Sequence, residues 1–323
     1  MKALVVEKYG ENAEIVLEKR DKPTPNQGEA LVRVYAAALN PLDLTVKSGH
    51  LPFAKNPPLI LGNEGAGVVE YSSKFPKGSK VIIQGGALGV NKDGTHQEFM
   101  VVPENQLIPL PENFSFEEGA ALSVSYLTAY LALTYSGEIK KDEWVAVAGA
   151  TGSVGYAALQ LAKALGAKPI AIVSSDEKAK QALTAQPEGI INLSQEDIVK
   201  GVARITNDHG INVALDPVGS NGTSLLLRSL AQAGRLVSIG YAAGMETTIN
   251  LMDLLAKATK IIGFSIYAIP EEVIQSALQH IIQLAEEGKI RPVIDSTFSL
   301  QQWNQAFSHL TSRKAIGKII FTI

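Results

Sequence analysis

Residues 144–165 constrain the fold more than any other part of the chain. An apolar run, Trp144–Ala148, leads directly into the glycine-rich segment Gly149-Ala150-Thr151-Gly152-Ser153-Val154-Gly155. From Ser153 to Leu165 the apolar residues recur on one face at helical spacing, and Gly166 follows as a natural C-terminal stop. The segment therefore predicts a buried strand, a tight turn and a helix in direct succession.

The same alternation of strand and helix continues toward the C-terminus. Short apolar runs separated by helical patterns predict a parallel sheet that is covered by helices on both faces, which is a doubly wound α/β fold. Six strands match a dinucleotide-binding sheet. The predicted strands are Trp144–Ala148, Pro169–Val173, Gly189–Leu193, Asn212–Asp216, Arg235–Gly240 and Lys260–Phe264.

The first 120 residues have a different character, with short strands and frequent proline and glycine that predict a small β-rich barrel. Gly28–Asn40 is a long apolar run with period two, and Asp93-Gly94 is predicted to form a hairpin turn. The last 60 residues predict a tail that returns to this first domain. Its elements are the helices Glu271–Glu287 and Gln301–Thr311 and the strands Ile294–Phe298 and Gly317–Thr322.

The glycine turn has the spacing of a phosphate-binding loop. Ala150, Gly152 and Gly155 occupy the G-x-G-x-x-G positions, with Ala in place of the first Gly. Gly152 would let the backbone approach a pyrophosphate, Gly155 would let the helix pack closely on the strand, and free N–H groups at the helix start would hold the phosphates. The alternative is a purely structural turn, but the strand and helix on either side favour a dinucleotide.

The end of the next strand indicates which dinucleotide is bound. An acidic residue there would bond the ribose 2′-hydroxyl and favour NAD, but Pro169–Val173 is followed by Ser174-Ser175-Asp176-Glu177-Lys178, with no carboxylate directly at the strand end. Asp176 and Glu177 would oppose a phosphate only if they pointed toward it. Hydroxyls and an ammonium suit a 2′-phosphate, so we predict NADPH. These residues also fit a helix N-terminus, with serine as the cap, and both interpretations can hold together.

Composition excludes several classes of function. The 323 residues carry 29 basic and 32 acidic side chains, for a net charge of −3, with no basic block that would bind nucleic acid. Cysteine is absent, so disulfides, thiolate nucleophiles and thiolate-bound metals are excluded. Only four apolar residues precede Glu7 after the initial Met-Lys, and the uncharged stretch 144–162 contains glycines and polar residues. We therefore expect a cytoplasmic protein without a membrane span.

Several motifs along the whole chain resemble the medium-chain dehydrogenase/reductases, specifically their zinc-free quinone oxidoreductase branch. The spacing Gly155-x-x-x-x-Gln160-x-x-Lys163 is similar to the signature of that branch. The other matching segments are Asn40-Pro41-Leu42-Asp43, Ser48-Gly49, Leu61-Gly62-Asn63-Glu64-Gly65-Ala66-Gly67, Leu127-Thr128-Ala129-Tyr130, the glycine turn, Asp216-Pro217-Val218-Gly219, Gly234–Gly240 and Gly317-Lys318-Ile319-Ile320.

The resemblance implies that this chain has no catalytic zinc. Where zinc-dependent relatives carry Cys, His and a third ligand, this chain has Asn40, Asn63 and a residue near Val124. Amide and aliphatic side chains are poor ligands or none for zinc, and the four cysteines of a structural zinc loop are missing. The five histidines show no metal-binding spacing.

The resemblance also implies the domain organisation and the site. A GroES-like catalytic domain is expected at 1–122, completed by 265–323, with a Rossmann NADPH-binding domain at 123–264. Asn40, Asp43 and Thr128 are the expected catalytic residues. The expected cofactor-binding residues are Ala150, Thr151, Gly152, Ser153, Val154, Ser174, Ser175, Lys178, Asp216, Gly240, Tyr241, Phe264 and Ile266.

Without a metal, a hydrogen-bond donor must polarise the substrate carbonyl. The amide of Asn40 or a hydroxyl of Thr128 or Tyr130 fits that role, and Asp43 would orient a neighbour, relay a proton or cap a turn. Weak polarisation suits quinones and enones, which are already electrophilic, and the resemblance implies that the substrate is a small quinone. The alternatives are reduction of the double bond of an enone, alkenal or enoyl compound, and an NADPH-binding structural or RNA-related role like that of the lens zeta-crystallins.

By analogy with the family, a homodimer is expected, formed through the edge strand of the cofactor sheet at Lys260–Phe264.

Overall fold

The structure is a computed structural model that describes every residue from Met1 to Ile323. The chain forms two compact units, one made of Met1–Val124 with Pro292–Ile323 and the other of Ser125–Arg291. The boundary falls inside a single helix, Phe116–Leu131. The fold is α/β, with a doubly wound parallel sheet in the second unit and a β-rich first unit.

The first unit contains a three-stranded and a seven-stranded sheet. The strands of this unit are β1 (Lys2–Lys8), β2 (Glu14–Lys19), β3 (Glu29–Leu39), β4 (Leu59–Ile60), β5 (Gly65–Tyr71), β6 (Lys80–Ile83), β7 (Phe99–Pro103), β8 (Leu107–Pro109), β15 (Ile294–Ser299) and β16 (Lys318–Thr322). The small sheet has the strand order β2-β1-β4, and the large one has the order β15-β16-β3-β5-β6-β8, with β7 also paired to β3.

The second unit is built on a six-stranded parallel sheet. Its strands are β9 (Trp144–Ala148), β10 (Lys168–Val173), β11 (Gly189–Asn192), β12 (Ile211–Asp216), β13 (Leu230–Ser238) and β14 (Lys260–Gly263). They lie in the order β11-β10-β9-β12-β13-β14. Buried aliphatic side chains such as Ile172, Leu215 and Val237 fill the sheet and exclude water from both faces.

The whole chain forms nine α-helices, which lie between strands of both units along the sequence. In α3 (Ser153–Ala164), Ala158 and Leu161 of the predicted apolar face are buried, whereas Val154 and Leu165 at its two ends are half-buried. The helices are α1 (Pro41–Lys47), α2 (Phe116–Leu131), α3 (Ser153–Ala164), α4 (Asp176–Ala182), α5 (Ile198–Thr206), α6 (Asn221–Arg228), α7 (Leu251–Leu255), α8 (Glu271–Glu286) and α9 (Trp303–Thr311).

The tail divides between the two units at a different point from the one expected. The sequence predicts that 265–323 completes the first domain, whereas residues up to Arg291 group with the second unit. Two contacts within that unit hold this segment. The Tyr130 hydroxyl lies 2.8 Å from Nδ1 of His280 on α8, and the Arg291 amide donates to Oε1 of Gln160 at 2.9 Å.

The predicted hairpin at Asp93-Gly94 is wrong. The two residues lie in a long connection between β6 and β7, where the Gly94 amide donates to the Ile60 carbonyl. Gly94 is needed for space, because an added Cβ would come within 2.1 Å of the Gly62 carbonyl oxygen. A close approach of two backbones, and not a positive φ, explains this glycine.

The uncharged stretch 144–162 forms β9, the glycine turn and most of α3. None of the helices combines the length and the apolar character that crossing a bilayer requires.

Candidate active site

The glycine turn leaves the carboxyl end of β9 and enters α3 with two glycines in contrasting surroundings. Gly149 has a φ of +58° and makes the sharp turn, so Ala150 at the first position of the motif needs no unusual backbone angle. An added Cβ at Gly155 would lie 2.3 Å from the Gly149 carbonyl oxygen. At Gly152 its nearest neighbour would be 3.4 Å away, so the space outside this residue is open.

The N-terminus of α3 is available to an anion. Gly152 is its N-cap residue, and no side chain caps the helix. The first N–H groups of a helix have no partner within it and carry the positive end of the helix dipole. Ser153 and Val154 are half-buried in this first turn, while Ala150 and Thr151 are buried beneath it. The turn thus presents free N–H groups beside an open surface, which is the arrangement that a diphosphate requires.

The polar residues after β10 form a second part of this sheet edge. Ser174 is exposed, and Ser175 is the N-cap of α4, with its hydroxyl accepting the Lys178 amide at 3.3 Å. Oδ1 of Asp176 accepts from the side-chain amides of Asn192 at 2.5 Å and Gln195 at 2.7 Å. The Asp176 carboxylate is therefore engaged by the last residue of β11 and by a residue of the loop that follows it.

Asp216 organises the loop that follows β12. It is fully buried, and Oδ1 accepts the amides of Val218 and Gly219, both at 2.9 Å. Oδ2 accepts the Thr223 hydroxyl at 2.5 Å. Since these bonds occupy both carboxylate oxygens, Asp216 can act on a cofactor only through the loop that it shapes.

The remaining predicted cofactor residues follow β13 and β14. Gly240 is half-buried and packs against the Pro217 backbone, where an added Cβ would lie 2.8 Å from the carbonyl oxygen. Tyr241 is exposed, and Phe264 and Ile266 are half-buried. The carboxyl ends of parallel strands meet at one edge of a sheet, so this edge gathers the predicted cofactor residues of the second unit.

The first unit contains a buried polar cluster around Asn40. The Asn40 side chain donates through Nδ2 to Oδ1 of Asn63 at 2.8 Å and to Oε1 of Glu64 at 3.0 Å. Its Oδ1 accepts from Nζ of Lys318 at 2.6 Å. The same ammonium lies 2.7 Å from Oε1 of Glu64, and all four residues are at most 7% exposed. We call Asn40, Asn63, Glu64 and Lys318 the amide–lysine cluster.

Two carboxylates hold this cluster in place. Oε2 of Glu64 accepts the Ser123 hydroxyl at 2.9 Å and the Val124 amide at 2.7 Å. Asp43 accepts the amides of Asn40 at 2.8 Å and Gly62 at 2.9 Å, so it fixes the two backbone segments that carry Asn40 and Asn63. Burial raises the pKa of Asp43, although the nearby His96 and these amide bonds act in the opposite direction.

Lys318 was not among the predicted site residues. It lies 278 residues after Asn40, so no local pattern connects the two. The available signal was a single lysine in the apolar strand Lys318–Thr322, since a buried lysine requires a partner.

Thr128 and Tyr130 lie on the part of α2 that belongs to the second unit. Thr128 is half-buried. The Tyr130 hydroxyl is engaged by His280, and burial raises the pKa of Tyr130. This contact favours the packing role for Tyr130 that its helix face indicates.

Two protein-family models match the chain. A model for the alcohol dehydrogenase GroES-like domain matches residues 26–112, and one for zinc-binding dehydrogenases matches residues 153–283. No group of three or more His, Cys, Asp or Glu side chains is placed to hold a metal ion.

Curated relatives match along nearly the whole chain. The rat (Rattus norvegicus) quinone oxidoreductase is 30% identical over 93% of this chain and 91% of its own length. The zebrafish (Danio rerio) synaptic vesicle membrane protein VAT-1 homolog is 32% identical over 99% of this chain and 70% of its own.

Solved structures share the architecture. The structure of an NAD-dependent alcohol dehydrogenase matches with a TM-score of 0.91 and 29% identity over the full length of both chains. A mycobacterial protein solved with NADPH matches with a TM-score of 0.88 at 24% identity, covering all of both chains. With both domain models and full-length relatives in agreement, the chain belongs to the medium-chain dehydrogenase/reductase superfamily of NAD(P)-binding oxidoreductases.

Proposed function

We propose that this oxidoreductase is an NADPH-dependent, zinc-free quinone reductase that delivers a hydride to a small quinone. The observation that carries the proposal is the combination of an open, uncapped glycine turn with the amide–lysine cluster. The turn supplies what a dinucleotide needs, and the cluster supplies hydrogen-bonding groups whose one carboxylate, Glu64, is already engaged by Lys318 and Ser123.

The residues of the second unit fit the dinucleotide. Gly152 offers an open approach to the backbone, and the first turn of α3 offers unpaired N–H groups to a diphosphate. Ser174, Ser175 and Lys178 would hold the 2′-phosphate that distinguishes NADPH from NADH, with Asp176 drawn toward Asn192. The cofactor, when bound, supplies the hydride, and the protein contributes orientation and the exclusion of water.

The residues at the position where zinc-dependent relatives bind their catalytic metal do not fit zinc. The Asn40 oxygen accepts from an ammonium and the Asn63 oxygen accepts from an amide, so neither is free for a metal. A divalent cation at Asn40 would also lie close to the Lys318 charge, which would repel it. These contacts support catalysis by hydrogen bonds at this site.

The substrate class follows from weak polarisation together with the relatives. Amide donors stabilise negative charge less strongly than a metal ion does, which suits acceptors that are already electrophilic. The rat relative is a quinone oxidoreductase, and we extend that activity to this chain. Reduction of enones or alkenals makes the same demands on the donor and is the second candidate.

Steady-state assays with a quinone panel and an enone panel, each with NADPH and with NADH, test this proposal. We expect the highest kcat/KM with NADPH and a quinone. We also expect Lys178→Ala to weaken NADPH binding while leaving NADH binding unchanged, with the exposed Lys200→Ala as a control. A clear preference for alkenals would overturn the quinone assignment, and an unchanged NADPH affinity in Lys178→Ala would overturn the 2′-phosphate assignment. NADPH binding without turnover of any acceptor would favour a structural role.

We also propose a homodimer through β14. This strand is the last of the parallel sheet, so one of its edges is unpaired, and Ile261 is 42% exposed. An exposed edge strand with apolar side chains is a ready surface for pairing with a second copy. Light scattering should give twice the 34.4 kDa chain mass, and Ile261→Lys should give a monomer. A monomeric native protein would contradict the proposal.

The cytoplasmic location stays a prediction, which cell fractionation tests.

A further inference from the structure

We propose that the side-chain N–H of Asn63 donates to the substrate carbonyl oxygen and that Lys318 fixes the direction in which this amide points. The inference rests on the carbonyl reduction proposed above and names the residue that would stabilise the developing negative charge. The sequence-based hypothesis assigned that role to Asn40, Thr128 or Tyr130.

Lys318 determines the orientation of both amides. A lysine ammonium has only donors, so the Asn40 atom that it contacts at 2.6 Å must be the oxygen. The Asn40 nitrogen then faces the opposite way, where it contacts Oε1 of Glu64, a carboxylate that can only accept. The Asn63 atom that receives the second Asn40 hydrogen must also be an oxygen. The Asn63 nitrogen is therefore the last group in this series of hydrogen bonds.

The two asparagines differ in whether a side-chain N–H remains available to a substrate. Both side-chain hydrogens of Asn40 are donated within the cluster, so Asn40 has none for a substrate. Nδ2 of Asn63 donates to no acceptor in the protein. It is also not one of the fully buried side-chain atoms that lack a partner, so it has access to the outside of the cluster. Asn63 thus presents the free donor and Asn40 positions it.

The cluster favours this donor electrically as well as geometrically. Hydrogen bonds in a chain polarise one another, and this chain begins at a buried ammonium. When hydride adds to the acceptor, the carbonyl electron pair moves onto its oxygen, and the Asn63 N–H stabilises the resulting oxyanion. Asn63 keeps its hydrogens, and a proton from water neutralises the product.

The most direct test replaces Asn63 by aspartate, which keeps the shape and the oxygen that Asn40 contacts but removes the N–H. Loss of one oxyanion donor lowers kcat by about 100- to 1000-fold, and we expect at least about 100-fold for Asn63→Asp. Asn63→Leu removes the donor without adding a charge and should also lose about 100-fold. Asn12→Asp, at an exposed position in the turn after β1, is the control and should keep the native rate.

A second readout does not depend on turnover. The infrared carbonyl stretch of 2-cyclohexen-1-one, bound to the protein with oxidised NADP⁺, reports hydrogen bonding to its oxygen. We expect a lower frequency in the native protein than in Asn63→Leu. The double variant Lys318→Met with Glu64→Gln removes the ion pair without leaving a buried charge. It should raise the frequency toward the Asn63→Leu value and lower kcat more than it changes KM.

The outcomes separate this inference from the proposed function. If the native protein reduces no carbonyl acceptor, the proposed function fails. If it reduces quinones and the folded Asn63→Asp and Asn63→Leu variants keep the native kcat and carbonyl frequency, Asn63 is not the donor. If the double variant keeps the native frequency and kcat, Lys318 does not position the amide.

Discussion

Gly152 and Gly155 lie in the same turn, yet a methyl group added at each would meet different surroundings. At Gly155 it would press on the Gly149 carbonyl and on Cα of Ala150, 2.9 Å away, and neither backbone atom can move without disturbing the turn. At Gly152 it would touch the protein only at ordinary contact distance and would otherwise project into open space. Close packing explains Gly155, whereas Gly152 leaves space in which an external ligand could approach the backbone.

We predict that Gly152→Ala and Gly155→Ala separate binding from folding. Gly155→Ala should lower the free energy of unfolding by about 1–3 kcal/mol, because the added methyl overpacks the turn. Gly152→Ala should change stability by less than about 1 kcal/mol but weaken NADPH binding, because its methyl occupies the phosphate approach. Thermal unfolding and NADPH titration check both.

Gly222→Ala, where an added Cβ meets nothing within 4 Å, is the matched control and should leave NADPH affinity unchanged. Native NADPH affinity in Gly152→Ala would contradict the role of this turn.

Among the elements, one half-buried ion pair anchors β13 to the segment that precedes β9. The Arg235 guanidinium contacts both carboxylate oxygens of Glu143, at 3.0 and 2.7 Å, and its Nε donates to the Gly137 carbonyl at 2.8 Å. The two side chains are only 14% and 15% exposed. A planar guanidinium is suited to such a two-pronged contact, which lysine cannot make.

We predict that Arg235→Ala lowers the free energy of unfolding by about 1–3 kcal/mol, because it leaves the half-buried Glu143 carboxylate without its partner. Arg228→Ala is the comparison, since Arg228 is 51% exposed beside Asp253 and its pair should contribute about 1 kcal/mol or less. Denaturant unfolding measures both changes. Equal losses in the two variants would contradict the account of the Arg235 pair.

The elements of the second unit were largely predictable from sequence because their cause is local. β9 has the predicted ends, and four of the other five strands start within one residue of the predicted positions. β13 is the exception, starting at Leu230 instead of Arg235. Its register against β12 is irregular between Leu230 and Arg235, and Ala233 has a φ of +54°. An irregular strand start leaves no periodic pattern to find.

The site was predictable only where its cause is local or where a family resemblance supplied it. The glycine turn is a local pattern, and Asn40 and Asn63 came from the resemblance. Lys318, the partner of Asn40, could not be predicted in either way, because it reaches Asn40 through the pairing of β16 with β3, which are far apart in sequence. Which asparagine has a free hydrogen depends on that long-range contact, so sequence alone indicated Asn40.

At the scale of the whole molecule, a buried histidine links stability to pH. His96 is fully buried, its Nδ1 has no hydrogen-bond partner, and its Nε2 lies 3.1 Å from the Ala38 carbonyl. Burial lowers the pKa of His96, and the Asp43 charge and the Ala38 carbonyl offset this only in part. In the unfolded chain the ring takes up a proton near its ordinary pKa of about 6.5, whereas the folded protein keeps it neutral.

We therefore predict that stability falls as the pH drops below about 6.5, by up to about 1.4 kcal/mol per pH unit for this one proton. The raised pKa of Asp43 acts with the opposite sign, favouring the folded protein at lower pH. Denaturant unfolding of the native protein and of His96→Gln between about pH 5.5 and 7.5 isolates the histidine. Parallel stability curves for the two proteins would contradict the prediction.

We propose that this molecule transfers a hydride to a carbonyl acceptor with amides and a buried ammonium where zinc-dependent relatives use a metal. NADPH oxidation with 1,4-benzoquinone, before and after dialysis against a strong chelator and with elemental analysis of the same samples, tests this. We expect an unchanged rate and zinc far below one ion per chain. Stoichiometric zinc, or a rate lost on chelation and restored by added zinc, would contradict it.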